Sequence, residues 1–108
     1  MTDIKNIDAK TLKEWLDKDQ VLLIDVREPA ECLVARIEQA INVPLSVFRI
    51  EDVISAESES KKIVIQCRSG VRSMSACVKL MEADPSLELY NFGGGILEWN
   101  ERGYPIIS

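Results

Sequence analysis

The chain contains no histidine, and its three cysteines, Cys32, Cys67 and Cys77, form no Cys-x-x-Cys pair. A zinc site has little to build on, so no metal is expected, and no cofactor either. An odd number of unpaired cysteines also gives no disulfide framework; free thiols in a reducing compartment are the expectation. No apolar stretch is long enough to span a membrane. The start, MTDIKNIDAK, lacks the basic and then apolar pattern of a secretory signal, and a cytoplasmic location follows as an expectation. Basic residues number 13 against 18 acidic ones, a formal net charge of −5. Without a basic excess, neither nucleic acid nor an anionic membrane is an expected partner. There is no repeat, low-complexity tract or interdomain linker.

What is present fits an ordinary globular chain, with 46% hydrophobic and 29% charged residues in 108. That length predicts one domain, residues 1–108. A chain of this size buries roughly 60–70% of its unfolded surface, enough to fold without a disulfide or metal. A monomer is expected. The acidic run EDVISAESES, Glu51 to Ser60, reads as a solvated helix end and loop.

Periodicity organises the rest. NIDAKTLKEWLDKD predicts a helix capped by Asp8, with Ile7 stapled against Leu12 and an apolar stripe of Leu12, Trp15 and Leu16. VLLIDV, Val21 to Val26, is too short and too uniformly apolar for a helix and predicts a strand covered on both faces. PAECLVARI predicts a short helix opened by Pro29, and AINVPL a strand stopped by Pro44. VFRIEDVIS is weakly helical, with Val47, Ile50 and Ile54 on one side. KKIVIQ predicts a buried strand. SMSACVKLMEAD follows as a helix with Ala76, Cys77, Leu80 and Met81 inward. LELYNF alternates as a strand, and ILEWNERG closes as a helix with Ile96 and Trp99 inward and Gly103 at its C′ position. Alternating strands and helices predict an α/β fold, a parallel sheet with helices on both faces. In such a sheet the carboxyl ends of the strands share one edge, where ligands bind. The loops DVRE, CRSGVRS and GGG therefore converge there.

The middle loop carries the chemistry. Cys67 follows an apolar strand and is followed by Arg68, Ser69, Gly70, Val71, Arg72 and Ser73. Backbone N–H groups of a tight glycine-containing loop can turn inward as an anion nest, and the next helix adds its positive end. Two arginines add full charges. Each effect favours thiolate over thiol, so Cys67 is expected to be acidic and nucleophilic. Gly70 supplies the positive φ that closes the loop in few residues. Core burial gives no reason for two arginines so close, which favours function over packing for Cys67. Cys77, among apolar residues at helical spacing, reads as core. Cys32 stands open between packing and an accessory thiol.

These residues resemble the rhodanese family of sulfurtransferases. LLIDVREPAE is similar to the family's first signature, CRSGVRS to its active-site loop, and NFGGGILEWNERGYPI to its closing segment. The resemblance implies a rhodanese-like fold, a five-stranded parallel sheet with helices on both faces. It implies that Cys67 takes a sulfane sulfur from a small anionic donor such as thiosulfate, becomes a persulfide, and passes the sulfur to cyanide or a thiol. Arg68 and Ser69 would then meet the donor. Arg72 would brace the loop through Asp25 or Glu28, and Arg27 would do similar bracing or add positive potential. For Asp25, Arg27 and Glu28, a purely structural ion pair at the strand end is the equal alternative. Gly93 and Gly94 are read as allowing a turn, not as binding substrate. Where the family has Gly-His-Ile-Pro-Gly-Ala, this chain has ARIEQA, Ala35 to Ala40. A positive φ falling there on Ala35 or Gln39 would cost about 1 kcal/mol.

Two other readings compete. Protein tyrosine phosphatases cradle an anion over a cysteine with one residue more in the loop; here four residues, Arg68 to Val71, separate Cys67 from Arg72. A shorter ring suits a sulfur atom better than a phosphate, and no histidine is present as a general acid. A non-catalytic regulatory domain, or a persulfide carrier serving one protein acceptor, is the other alternative.

Overall fold

The computed structural model describes residues 4–54 and 61–108. Its centre is one parallel sheet of five strands: β1 (Lys5–Ile7), β2 (Val21–Asp25), β3 (Ile41–Asn42), β4 (Lys62–Gln66) and β5 (Leu89–Phe92), in the order β1-β5-β4-β2-β3. Among the described residues, the helices are α1 (Ala9–Asp17), α2 (Pro29–Val34), α3 (Val71–Ala83) and α4 (Gly95–Glu101), the last following β5. All pairings are parallel, with Ile24 opposite Ile65 and Ile65 opposite Asn91 across the three central strands. The carboxyl ends of these strands therefore lie on one edge, as the alternating pattern requires.

Every residue of β2 is buried, which is why it reads as a nearly continuous apolar run, broken only by Asp25 at its end. Leu22, Ile24, Ile63 and Ile65 face one core with Ala76, Cys77 and Leu80 of α3. Leu23 and Val64 face the other, with Leu12 of α1 and Trp99 of α4. Asp8 caps α1 by accepting from the Thr11 N–H at 2.9 Å, and Ile7 packs in the same cluster as Leu12. Leu12 is fully buried, worth about 1.5–3 kcal/mol against exposure. Gly103, with φ 75°, follows the end of α4 as its C′ residue. Trp99 donates its indole N–H to the Pro105 carbonyl at 2.8 Å, tying down the segment after that helix.

Three expectations are corrected. The described part of VFRIEDVIS, Val47 to Ile54, forms no α-helix: Val47 ends one 3₁₀ turn, Leu45–Val47, and Ile50–Asp52 forms a second. Its inward residue is Val53, with Phe48 and Ile50 packed partly against the core, while Val47 and Ile54 are exposed. That inward spacing does not fit a helical face. The edge strand β1 has no counterpart in the sequence reading; it is three residues long and mostly exposed, so no apolar alternation marks it. Ala35 is extended at φ −162°, and Asp19 is the one non-glycine residue of positive φ among the described residues, so ARIEQA carries no such strain. Of the acidic run, Ser55 to Ser60 lie outside the described residues. Among the described residues, no helix is long and apolar enough to cross a membrane, and no cluster of histidine, cysteine, aspartate and glutamate is arranged to hold a metal ion.

Candidate active site

Cys67 stands one residue past β4, the middle strand of the sheet, and is 1% exposed. The loop turns at once. Gly70 has φ 97°, a conformation that side chains rarely adopt, and its N–H comes back to donate to Cys67 Sγ at 3.0 Å. Helix α3 then begins at Val71, so Val71, Arg72 and Ser73 belong to its first turn and the connecting loop ends sooner than expected. The Cys67 thiol meets Ser73 Oγ at 3.4 Å.

Burial opposes ionisation of this thiol. The Ser73 hydroxyl, once turned to donate to the sulfur, and the backbone N–H groups of Ser73, Ser69 and Gly70 outweigh it and hold Cys67 below the usual thiol range. The Ser73 hydroxyl thus leads, followed by the inward amides of the expected nest, with the positive end of a 13-residue helix in support.

The arginines have other work. Arg72 forms a two-pronged ion pair with Glu31 of α2, at 2.6 and 2.9 Å. Neither of its expected partners, Asp25 and Glu28, holds it. Asp25 and Arg27 hold each other at 2.8 Å while 1% and 5% exposed as side chains. Arg27 also donates to the Ala35 carbonyl, and burial, which would weaken its charge, is outweighed by Asp25. The pair stands at the end of β2. Glu28 caps α2 and accepts from the Ser46 hydroxyl at 2.7 Å. Arg68 and Ser69 are exposed.

The other two thiols differ in kind. Burial pushes Cys77 up to about 12, and it lies in the α3 core, as read. Burial and the neighbouring Asp25 carboxylate push Cys32 up to about 11; its thiol donates to Asp25 Oδ2 at 3.5 Å.

Several supports escaped the sequence reading. Ile96 and Leu97, at the start of α4, donate their N–H groups to the carbonyls of Cys67 and Arg68 at 3.0 and 3.3 Å. Gly95, not the Gly93–Gly94 pair, takes the positive φ, at 60°, and a Cβ there would lie 2.2 Å from the Arg68 oxygen. The Gln66 carboxamide donates to the Cys67 carbonyl at 2.9 Å. Asn91 of β5 accepts from Ser73 at 2.5 Å and donates to the Gly70 carbonyl at 3.2 Å. Asn91 had a visible signal, a polar residue at an inward position of the alternating LELYNF. Glu31 had none beyond its charge.

An open α/β sheet with an acidified cysteine in an amide-lined turn at its carboxyl edge defines a class of proteins built to stabilise an anion on or beside sulfur. The rhodanese-like domain pattern matches residues 8–102, and the chain belongs to that family. It is 37% identical to a sulfurtransferase of Allochromatium vinosum over 97% of this chain and 96% of that one. It is 35% identical to the putative sulfurtransferase YtwF of Bacillus subtilis over 95% and 97% of the two. The crystal structure of a rhodanese-related protein from Thermoplasma volcanium superposes with a TM-score of 0.81 at 31% identity, covering 95% of this chain and 97% of that one. Family and relatives together support sulfurtransferase activity in general.

Proposed function

We propose that the protein moves a sulfane sulfur from an anionic donor such as thiosulfate to a thiol or cyanide, through a persulfide on Cys67. The Cys67 thiolate attacks the outer sulfur of thiosulfate. A new S–S bond forms as the old one breaks, and sulfite leaves with the bonding electron pair. The acceptor nucleophile then attacks that outer sulfur, and the Cys67 thiolate leaves in turn. Amides aimed at the sulfur stabilise anionic charge without reorganising, so they favour both the attacking thiolate and the loaded persulfide.

The observation that carries this reading is the Gly70 N–H donating to Cys67 Sγ at 3.0 Å in a turn that lowers the thiol's pKa. Exposed Arg68 and Ser69 at the rim supply the first contact for an anion. The brevity of the turn, which closes at Gly70, favours a transferable sulfur over a phosphate.

The test is thiosulfate-to-cyanide turnover by wild type and by Cys67→Ser, with intact mass after thiosulfate alone. Wild type turns over and gains one sulfur atom; Cys67→Ser does neither. Equal rates in the two proteins would remove Cys67 from the reaction.

A further inference from the structure

The hydroxyl nearest the reactive sulfur is already committed elsewhere. Asn91 Nδ2 lies 3.2 Å from the Gly70 carbonyl oxygen, an atom that only accepts. This fixes the orientation of the carboxamide and turns its oxygen toward Ser73, 2.5 Å away. The second Nδ2 proton goes to Asn6 Oδ1 on β1 at 3.0 Å. Because Oδ1 carries no proton, the Ser73 hydroxyl must supply one, and a hydroxyl has only one to give.

Ser73 therefore presents lone pairs to Cys67. That suits a neutral thiol, which donates its S–H across the 3.4 Å gap. It does not suit a thiolate, which needs a donor. When Cys67 ionises, its proton passes to water or a buffer base and no heavy-atom bond changes. The Ser73 O–H must then swing from Asn91 to the sulfur, leaving the oxygen of a residue only 3% exposed without its donor.

We propose that Asn91 is a positioning residue that competes with the Cys67 sulfur for the single proton of Ser73, so that ionisation of the nucleophile and the turn of that hydroxyl are one event. The proposal rests on Cys67 being the nucleophile. Asn91 keeps the empty site partly protonated, and the inward amides pull the other way. Among the described residues, no charged neighbour performs this function. Arg72 on α3 acts on the sulfur from within its pair with Glu31 of α2. At the end of β2, Asp25 is held by Arg27 and by Cys32 of α2. Arg68 is exposed, and β5 and β1 bring Asn91 and Asn6 to this cluster.

The test reads the thiol directly, through the pH dependence of iodoacetamide alkylation of the Cys67 peptide, in wild type, Asn91→Leu, Ser73→Ala and the double variant. Asn91→Leu frees the Ser73 proton for the sulfur, so the alkylation midpoint falls by about half to one pH unit, the worth of one ordinary hydrogen bond. In the Ser73→Ala background the same substitution shifts nothing. A rise in the midpoint with Asn91→Leu, or an equal shift with and without Ser73, overturns the proposal, because either describes mere loosening of the turn. Wild type supplies a second readout without a folding risk. The NMR signals of the Asn91 carboxamide should titrate with the Cys67 midpoint and lose that titration in Ser73→Ala; a carboxamide indifferent to thiol ionisation also overturns the proposal. None of these readouts needs sulfur transfer, so they stand or fall apart from the turnover assay.

Discussion

The amide of Ile96 donates to the carbonyl oxygen of Cys67 at 3.0 Å, and Leu97 does the same for Arg68 at 3.3 Å. The start of the last helix thus grips the active turn from behind. With its carbonyls drawn into α4, the peptide chain shows its N–H groups to the sulfur. Close approach is possible because Gly95 has no side chain: a Cβ there would stand 2.2 Å from the Arg68 oxygen. The anion nest is a property of two segments far apart in the chain.

That contact makes the glycines unequal. A Cβ on Gly70 would lie 2.3 Å from the Gly93 oxygen, in addition to the strain of φ 97°. Gly103 has φ 75° but nothing within 4 Å. Gly103→Ala should cost about 1 kcal/mol from backbone conformation alone. Gly70→Ala should cost clearly more, about 2–3 kcal/mol, and lower turnover more than tenfold, since both the turn and its amides must shift. Urea unfolding and the thiosulfate assay on the two variants check the contrast; equal losses would count against it.

The Arg72–Glu31 pair sets an acid limit. Its hydrogen bonds hold Glu31 down to about 2, against 4.5 for the free group. A folded-state value below the unfolded one stabilises the protein above about 4.5, and that stability is lost as pH falls toward 2. Both side chains are about one-third exposed, at 35% and 32%, so solvent screening limits the effect. Glu31→Gln should cost about 1 kcal/mol at neutral pH. Its stability should also decline less than wild type between pH 5 and 3, which urea midpoints at several pH values would detect. Parallel acid profiles would assign the pair no role.

The three thiols should part company under alkylation. At neutral pH in the native state, iodoacetamide should modify Cys67, while Cys32 and Cys77, pushed up to about 11 and about 12, resist. Peptide mapping reads the outcome directly. The same two groups predict an alkaline effect of definite sign. The unfolded chain ionises its thiols near 9, well before the folded one ionises Cys32 and Cys77, so their stabilising contribution falls as pH rises above 9. Cys77→Ala should flatten that fall while opening a small cavity; an unchanged alkaline slope would show that Cys77 ionises as easily folded as unfolded.

Sequence patterns determined a great deal. The apolar runs Val21 to Val26 and Ile63 to Ile65, separated by helical spacing, dictate a parallel sheet and so put the turn after Gln66 on the ligand-binding edge. Gly70 next to the start of a helix makes the positive φ legible, and the position of Asp8 and Gly103 makes the ends of two helices legible. These are local matters: a side chain's period, a cap's hydrogen bond and a glycine's freedom act within a few residues. What the tertiary structure decided is who partners whom. Glu31 rather than Asp25 or Glu28 holds Arg72, and Asp25 is spent on Arg27. Asn91 reaches Ser73, and α4 grips the Cys67 carbonyl. Charge and hydrogen-bonding capacity are written in the sequence, but they act over a few ångströms. Which groups come that close is decided only when the helices have packed on the sheet.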